Sequence, residues 1–294
     1  MLQPAPTPPS TSLETPEALT PVIAVETFVP DRIDLLGLAI DRVTEREAID
    51  RIMGTLDAGR GGWVITPNAA HLREFCRSEE LRELMGRADL SVADGMPLVW
   101  ASRLQQTPLP ERVAGSNLIY SLSEEAARRG ATIFLLGGDE GVAEHAAVRL
   151  QEHCPGLLVA GTHYPPMGFE RDAIEMNRIR AALLAAQPDI VYVGLGFPKQ
   201  ERLIDELRDL LPETWFLGIG ISLSFVSGDA SRAPQWMHDS GLEWLHRLID
   251  DPPRLWRRYV KDGLPFVFGM LVRCAWRGRG ERRAARRLAR HPVA

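Results

Sequence analysis

Asp94 stands between a short apolar run, Asp89–Ala93, and a stretch of helical character, Met96–Arg103, with Pro97 in its first turn. A carboxylate at such a strand-to-helix turn lies at the carboxyl edge of an open α/β sheet, where these folds bind ligands. Asp94 is therefore the candidate general base. Asp-Gly is also an ordinary turn and Asp a good helix cap, so the local sequence admits both readings.

Three further turns offer chemistry at the same kind of edge: Thr66-Pro-Asn68, Gly137-Gly138 and Gly194-Leu-Gly-Phe-Pro-Lys-Gln-Glu201. At Gly137-Gly138 the missing side chains let a ligand approach the backbone, and the helix that follows opens with unpaired N–H groups suited to phosphate. A plain tight turn is the alternative. Pro198 suits the first position of a helix, which places Lys199 and Gln200 in its open first turn. Gln200 can donate and accept toward a sugar hydroxyl or amide, or it can belong to an exposed polar turn. None of these turns has the GxGxxG spacing of a dinucleotide reader. Farther on, Arg254, Arg257, Arg258 and Lys261 recur at spacings of three and four with no acid between them, which lines one helical face. Such a face binds a diphosphate through guanidinium forks, or is simply a solvated cationic face.

The elements that must position these residues alternate in kind. Strands are expected at Ile33–Val43 (or a hairpin there), Trp63–Thr66, Asp89–Ala93, Ala131–Leu136, Leu157–Gly161, Asp189–Gly196 and Trp215–Gly220. Between them lie a helix opened by a Thr44/Glu47 capping box, helical spacing from Leu72 to Met85, a helix capped by Ser116 or Asn117, and helices at Val142–Leu150, Glu170–Ala186 and Pro198–Leu211. Apolar strands alternating with helices predict an α/β fold: a doubly wound, mostly parallel sheet with helices on both faces. A helical C-terminal appendage follows it.

With 294 residues, 45% hydrophobic and 25% charged, the chain suffices for one large domain and an appendage. Residues 1–30 hold seven prolines and no Lys or Arg, which reads as a disordered leader. The core is expected over 31–230, the appendage over 231–265 and a basic amphipathic tail over 266–294. A net charge of −5 excludes a general polyanion binder. Cys76, Cys154 and Cys274 form no CxxC pair, which argues against structural zinc or a disulfide framework and fits a reducing cytosol. No apolar run reaches the roughly 18 residues of a membrane-spanning helix. From Phe266 onward eight arginines face only Glu281 as an acid, beside the apolar Phe266–Val272. That pattern suits a helix lying on anionic lipid better than an RNA-binding tail.

In order, Thr66-Pro-Asn68, Asp94-Gly95, Arg112-Val-Ala-Gly115, Phe134–Gly138, Val193–Glu201, Arg232-Ala-Pro234, Leu242–Leu248 and Pro253–Tyr259 resemble the WecG/TagA/CpsF glycosyltransferases, glycosyltransferase family 26. The resemblance covers roughly Ile33 to Pro265. It implies a bacterial, inverting, metal-independent enzyme with no cofactor, moving a sugar from a UDP-sugar to a polyprenyl-diphosphate-linked saccharide for cell-surface polysaccharide. The family's base falls on Asp94 and its other pocket positions on Thr66, Asn68, Arg112 and Gln200, with Arg112 expected to act in catalysis by orienting or stabilising the sugar or the departing phosphate. Its appendage, which closes over the pocket and meets the diphosphate, supplies arginines matching Arg247, Arg254 and Arg257. The appendage also meets the membrane and covers surface that would otherwise drive oligomerisation, so a homo-oligomer is a possible state. The expected place is the cytoplasm, peripherally at the inner face of the cytoplasmic membrane, with no nucleic-acid partner. The residues agree on one point: the chain contains no Asp-x-Asp to hold a divalent ion, which leaves arginines as countercharge for a departing diphosphate. Where the family carries Phe-Asp after the last strand, Leu223-Ser224 stand here. The donor stays open among UDP-N-acetylmannosamine, its uronic acid, UDP-glucose and UDP-glucuronate, and a non-catalytic UDP-sugar-binding regulator is the alternative function.

Overall fold

Successive residues of the central strands are buried on opposite sides of one sheet. Trp63, Ile65, Phe134, Val191 and Phe216 join one core, and Val64, Leu135, Tyr192 and Leu217 the other. A strand covered on both faces gains nothing from polar alternation, so it reads as a continuous apolar run.

The computed structural model describes residues 31–231, 234, 237, 243–250 and 252–290; the side chains of residues 243, 244, 247, 250, 254, 258 and 281–290 fall outside it. The expected leader, residues 1–30, also lies outside the described residues. The sheet comprises β3 (Gly62–Ile65), β4 (Leu90–Ser91), β5 (Thr132–Gly137), β6 (Leu158–His163), β7 (Ile190–Gly194) and β8 (Trp215–Gly218), in the order β4-β3-β8-β7-β5-β6. Every neighbouring pair is parallel. The opening segment forms an antiparallel hairpin, β1 (Arg32–Leu35) with β2 (Leu38–Asp41).

On one face pack α1 (Glu45–Asp57), α5 (Gly115–Arg129), α6 (Val142–His153) and α9 (Ser222–Ser227). On the other pack α2 (Ala69–Arg77), α3 (Glu79–Gly86), α4 (Met96–Gln105), α7 (Ala173–Ala186) and α8 (Lys199–Leu207). This is the doubly wound α/β architecture. The capping box is present: Glu47 N donates to Thr44 Oγ1 at 3.2 Å and Thr44 N to Glu47 Oε2 at 2.8 Å.

Two local expectations change. The helical spacing from Leu72 to Met85 is broken at Ser78, whose backbone is extended and whose hydroxyl accepts from Leu81 N at 3.2 Å, so one helix becomes α2 and α3. Serine competes with the helix by capping a new one. Helix α5 begins at Gly115 with Ala114 as N-cap, not at Ser116 or Asn117, and without a side-chain cap. The close approach of Gly115 to Thr66 and Ile219 places this helix end on the sheet edge.

The C-terminal part contains α10 (Glu243–Asp250), α11 (Pro252–Trp256), a π-helical turn (Arg257–Lys261) and α12 (Gly263–Arg290). The winding switches from α to π at Arg257, within the stretch where Arg254, Arg257, Arg258 and Lys261 are expected to line one face, and the side chains of Arg254 and Arg258 lie outside the described residues. Helix α12 runs through the expected boundary at 265/266. Its Met270 and Cys274 are core residues, and Gly278 comes so close to α4 that an added Cβ would lie 2.2 Å from the Leu104 carbonyl oxygen. Arg277 Nη1 also reaches Asp34 Oδ1 at 2.7 Å. Among the described residues no helix is long and apolar enough to cross a membrane.

Candidate functional site

Because all six strands run the same way, their carboxyl ends open onto one edge, and the turns after β3, β4, β5, β7 and β8 meet there. The ladder between β3 and β4 continues past the strands, with Asp94 N donating to Pro67 O at 2.9 Å. Gly95, at φ +145°, is the N-cap of α4. Asp94 is thus not the helix cap, and its half-buried carboxylate sits one residue before the cap position. Asn68 lies alongside: an added Cβ on Gly95 would be 3.8 Å from Asn68 Cβ.

Asn68 is the N-cap of α2. Its Oδ1 accepts from Ala70 N at 3.0 Å and from His71 N at 3.2 Å. That turns its amide nitrogen toward His71 Nε2, 3.4 Å away. The His71 ring stacks on Phe197 with centroids 4.3 Å apart, and Phe197 precedes a cis Pro198 in the turn after β7. Two turns of the edge are joined in this way.

Gln200 closes the centre. It is 2% exposed, so the exposed-turn reading is wrong. Its Oε1 accepts from Gly196 N at 3.2 Å and Gly220 N at 3.0 Å, and its Nε2 donates to Glu201 Oε1 at 2.9 Å. Thr66 is buried beside it, donating its hydroxyl to Gly218 O at 2.9 Å. These two expected substrate contacts therefore hold β3, β7 and β8 together at their ends.

At Gly137-Gly138 the space left by the missing side chains is filled by the protein. A Cβ on Gly137 would lie 2.6 Å from Gly194 O, and one on Gly138 2.6 Å from Val142 Cγ1. Packing by itself therefore calls for glycine at both positions. Leu223, in the place of the family's aromatic residue, is fully buried and lies 2.7 Å from a Cβ added at Gly194.

Arg112 precedes Val113, whose N donates to Ala93 O at 3.0 Å, so its backbone runs beside the residue before Asp94. Its side chain lines a groove of about 680 Å³ with Glu45, Arg46 and Asn117. Arg257 is exposed; its Nε and Arg73 Nη1 of α2 both lie 4.0 Å from Asp262 Oδ2. The C-terminal part thereby reaches the helix that Asn68 caps. The side chains of Arg247 and Arg254 lie outside the described residues.

Three residues at this edge were not singled out from the sequence: His71, Phe197 and Glu201. Glu201 is 3% exposed, burial pushes its carboxyl up to about 7, and its Oε2 has no hydrogen-bond partner among the described residues. Its position next to Gln200 was visible; its burial was not.

The family profile described as the WecG/TagA/CpsF glycosyl transferases matches residues 33–280. An N-acetylglucosaminyldiphosphoundecaprenol N-acetyl-beta-D-mannosaminyltransferase of Bacillus spizizenii is 32% identical over 205 residues, 70% of this chain and 77% of the relative. A protein of the same name from Staphylococcus aureus is 29% identical over 229 residues, 77% of this chain and 87% of the relative. The profile spans the hairpin, the whole sheet and the docked part of α12, so the chain belongs to the WecG/TagA/CpsF family and is a glycosyltransferase.

Proposed function

We propose that the protein transfers a sugar, N-acetylmannosamine or one of the related hexoses named above, from a UDP-sugar to a saccharide carried on a polyprenyl diphosphate. The observation that carries this reading is the placement of Asp94 at the end of β4, hydrogen-bonded through its backbone to the Pro67-Asn68 turn. The relatives' names supply the acceptor class. In the reaction, the Asp94 carboxylate takes the proton of the acceptor hydroxyl as its oxygen bonds to the anomeric carbon. The bond from that carbon to the phosphate oxygen breaks on the opposite face, so the configuration inverts and UDP leaves. Arg112, Arg247, Arg254 and Arg257 are the available countercharges for the diphosphate, and the absence of Asp-x-Asp supports a metal-independent reaction.

A panel of UDP-sugars with a soluble polyprenyl-diphosphate-N-acetylglucosamine analogue tests this. UDP release is expected with at least one donor, undiminished by EDTA. A strict need for Mg²⁺ or Mn²⁺ would overturn the metal-independent part. Binding of UDP without release from any donor would favour a regulatory binding protein.

Helix α12 supports action at the inner membrane surface. While Met270 and Cys274 face the core, Leu264, Phe268, Val272 and Trp276 recur every four residues and are exposed, Phe268 at 71% and Trp276 at 69%. Arg273 and Arg279 are also exposed. Aromatic residues inserted among lipid headgroups, with about 1 kcal/mol for each nearby arginine, would hold the helix flat on an anionic bilayer. The double substitution Phe268→Glu and Trp276→Glu is expected to lower co-sedimentation with phosphatidylglycerol vesicles about tenfold or more. Unchanged partitioning would remove this role.

A further inference from the structure

Beyond the last ladder bond, Ile219 N to Val193 O, the turns after β7 and β8 are tied through the Gln200 side chain. A carboxamide has nearly the same shape either way round, so its neighbours decide which end points where. In the observed orientation the oxygen meets two backbone N–H donors. Reversed, its NH₂ would oppose those donors and its oxygen would oppose the Glu201 carboxylate. Glu201 Oε1, 2.9 Å from Gln200 Nε2, accepts from the amide and acts with the two N–H donors to favour the observed state.

The fold makes room for this pair. A Cβ on Gly218 would lie 2.6 Å from Gln200 Nε2 and 3.3 Å from Glu201 Oε1. The carbonyl of the same glycine takes the Thr66 hydroxyl. Leu203 and Ile204 of the same helix are core residues, so position 201 lies in a helix that is otherwise anchored by apolar side chains. The chain instead buries a carboxyl group with one oxygen unpartnered among the described residues, an unfavourable choice for stability alone.

We propose that Glu201 is a positioning residue: its buried carboxyl group orients the Gln200 amide and so sets the spacing of the two turns, Gly196–Pro198 and Gly220–Ile221, that frame the donor at the centre of the sheet edge. The proposal rests on the reading that this edge holds the UDP-sugar. Glu201 acts on the donor through Gln200 and the turns, without touching it.

The test compares Glu201→Gln, Glu201→Leu, Gln200→Leu and the Glu201→Leu/Gln200→Leu double variant, with steady-state kinetics on the donor and melting temperatures for all. Glu201→Gln keeps a carbonyl oxygen for the Gln200 amide and is expected to stay within about threefold of wild type in kcat and in KM for the donor. Glu201→Leu fills the space without the acceptor and is expected to raise the donor KM about tenfold or more. In the Gln200→Leu background, Glu201→Leu is expected to add less than about twofold, because both act through one amide. A wild-type KM in a folded Glu201→Leu protein would overturn the proposal. So would a loss in Glu201→Gln as large as in Glu201→Leu, or independent, multiplying effects in the double variant. Transfer by the wild-type protein is the separate control: its absence counts against the parent reading.

Discussion

Asp94→Asn is expected to lower the rate of sugar transfer by about 100- to 10,000-fold, the usual consequence of losing a general base. Asparagine has the same shape as aspartate and keeps an oxygen acceptor, but it cannot take up the acceptor's proton. Position 94 is not the cap of the helix that follows it. The N-cap of α4 is Gly95, and the bond that holds position 94 to the Pro67 turn comes from the backbone. The melting temperature should therefore change little. A base acts as the acceptor oxygen attacks, so kcat and kcat/KM should fall together while donor affinity is retained. Initial rates of UDP release, with UDP binding and thermal unfolding measured on the same preparation, give the answer. A folded Asp94→Asn protein that turns over at the wild-type rate would assign the base elsewhere.

The largest effect on stability is expected at Gly137, where alanine should cost about 2–6 kcal/mol. Its φ of +116° lies outside the conformations open to residues with a side chain, a strain of about 1–3 kcal/mol. The new methyl group would also come within 2.6 Å of Gly194 O and 2.7 Å of Gly194 C, an overpacking term of a further 1–3 kcal/mol. Gly137 and Gly194 are register partners at the ends of β5 and β7, so neither can retreat without opening the sheet. The loss could consume much of the stability of a domain this size. Urea unfolding of wild type and Gly137→Ala measures it, and a difference below about 1 kcal/mol would contradict the close approach of the two strands. The same contact gives a packing reason for glycine at position 137, whatever the turn binds.

Much of the architecture was legible in the chain because its signals are local. Trp63–Ile65, Ile133–Leu136 and Ile190–Val193 are apolar without alternation, and a strand that short and that apolar must be covered on both faces. The Thr44/Glu47 box closes within one turn, so three residues suffice to announce it. The site was legible as a set of turns, since parallel strands bring their carboxyl ends to one edge whatever their order.

Strand order, and with it which turns touch, depended on long-range packing. So did the division of labour among the polar residues. Thr66 and Gln200 look alike from sequence, as polar side chains at turns, and only the structure shows that each also bonds backbone groups, of Gly218 and of Gly196 and Gly220. Glu201 has nothing in its neighbours to announce a buried carboxylate, because burial is set by what the other strands place above it. In α12 the apolar residues of both faces read as one amphipathic stretch. Only the docked helix separates Met270 and Cys274, which it buries, from Phe268 and Trp276, which it leaves outside. Sequence determined which residues avoid water and which can exchange protons, since those are properties of single side chains. Tertiary structure decided what each one meets, since a contact needs two partners and its energy belongs to the pair.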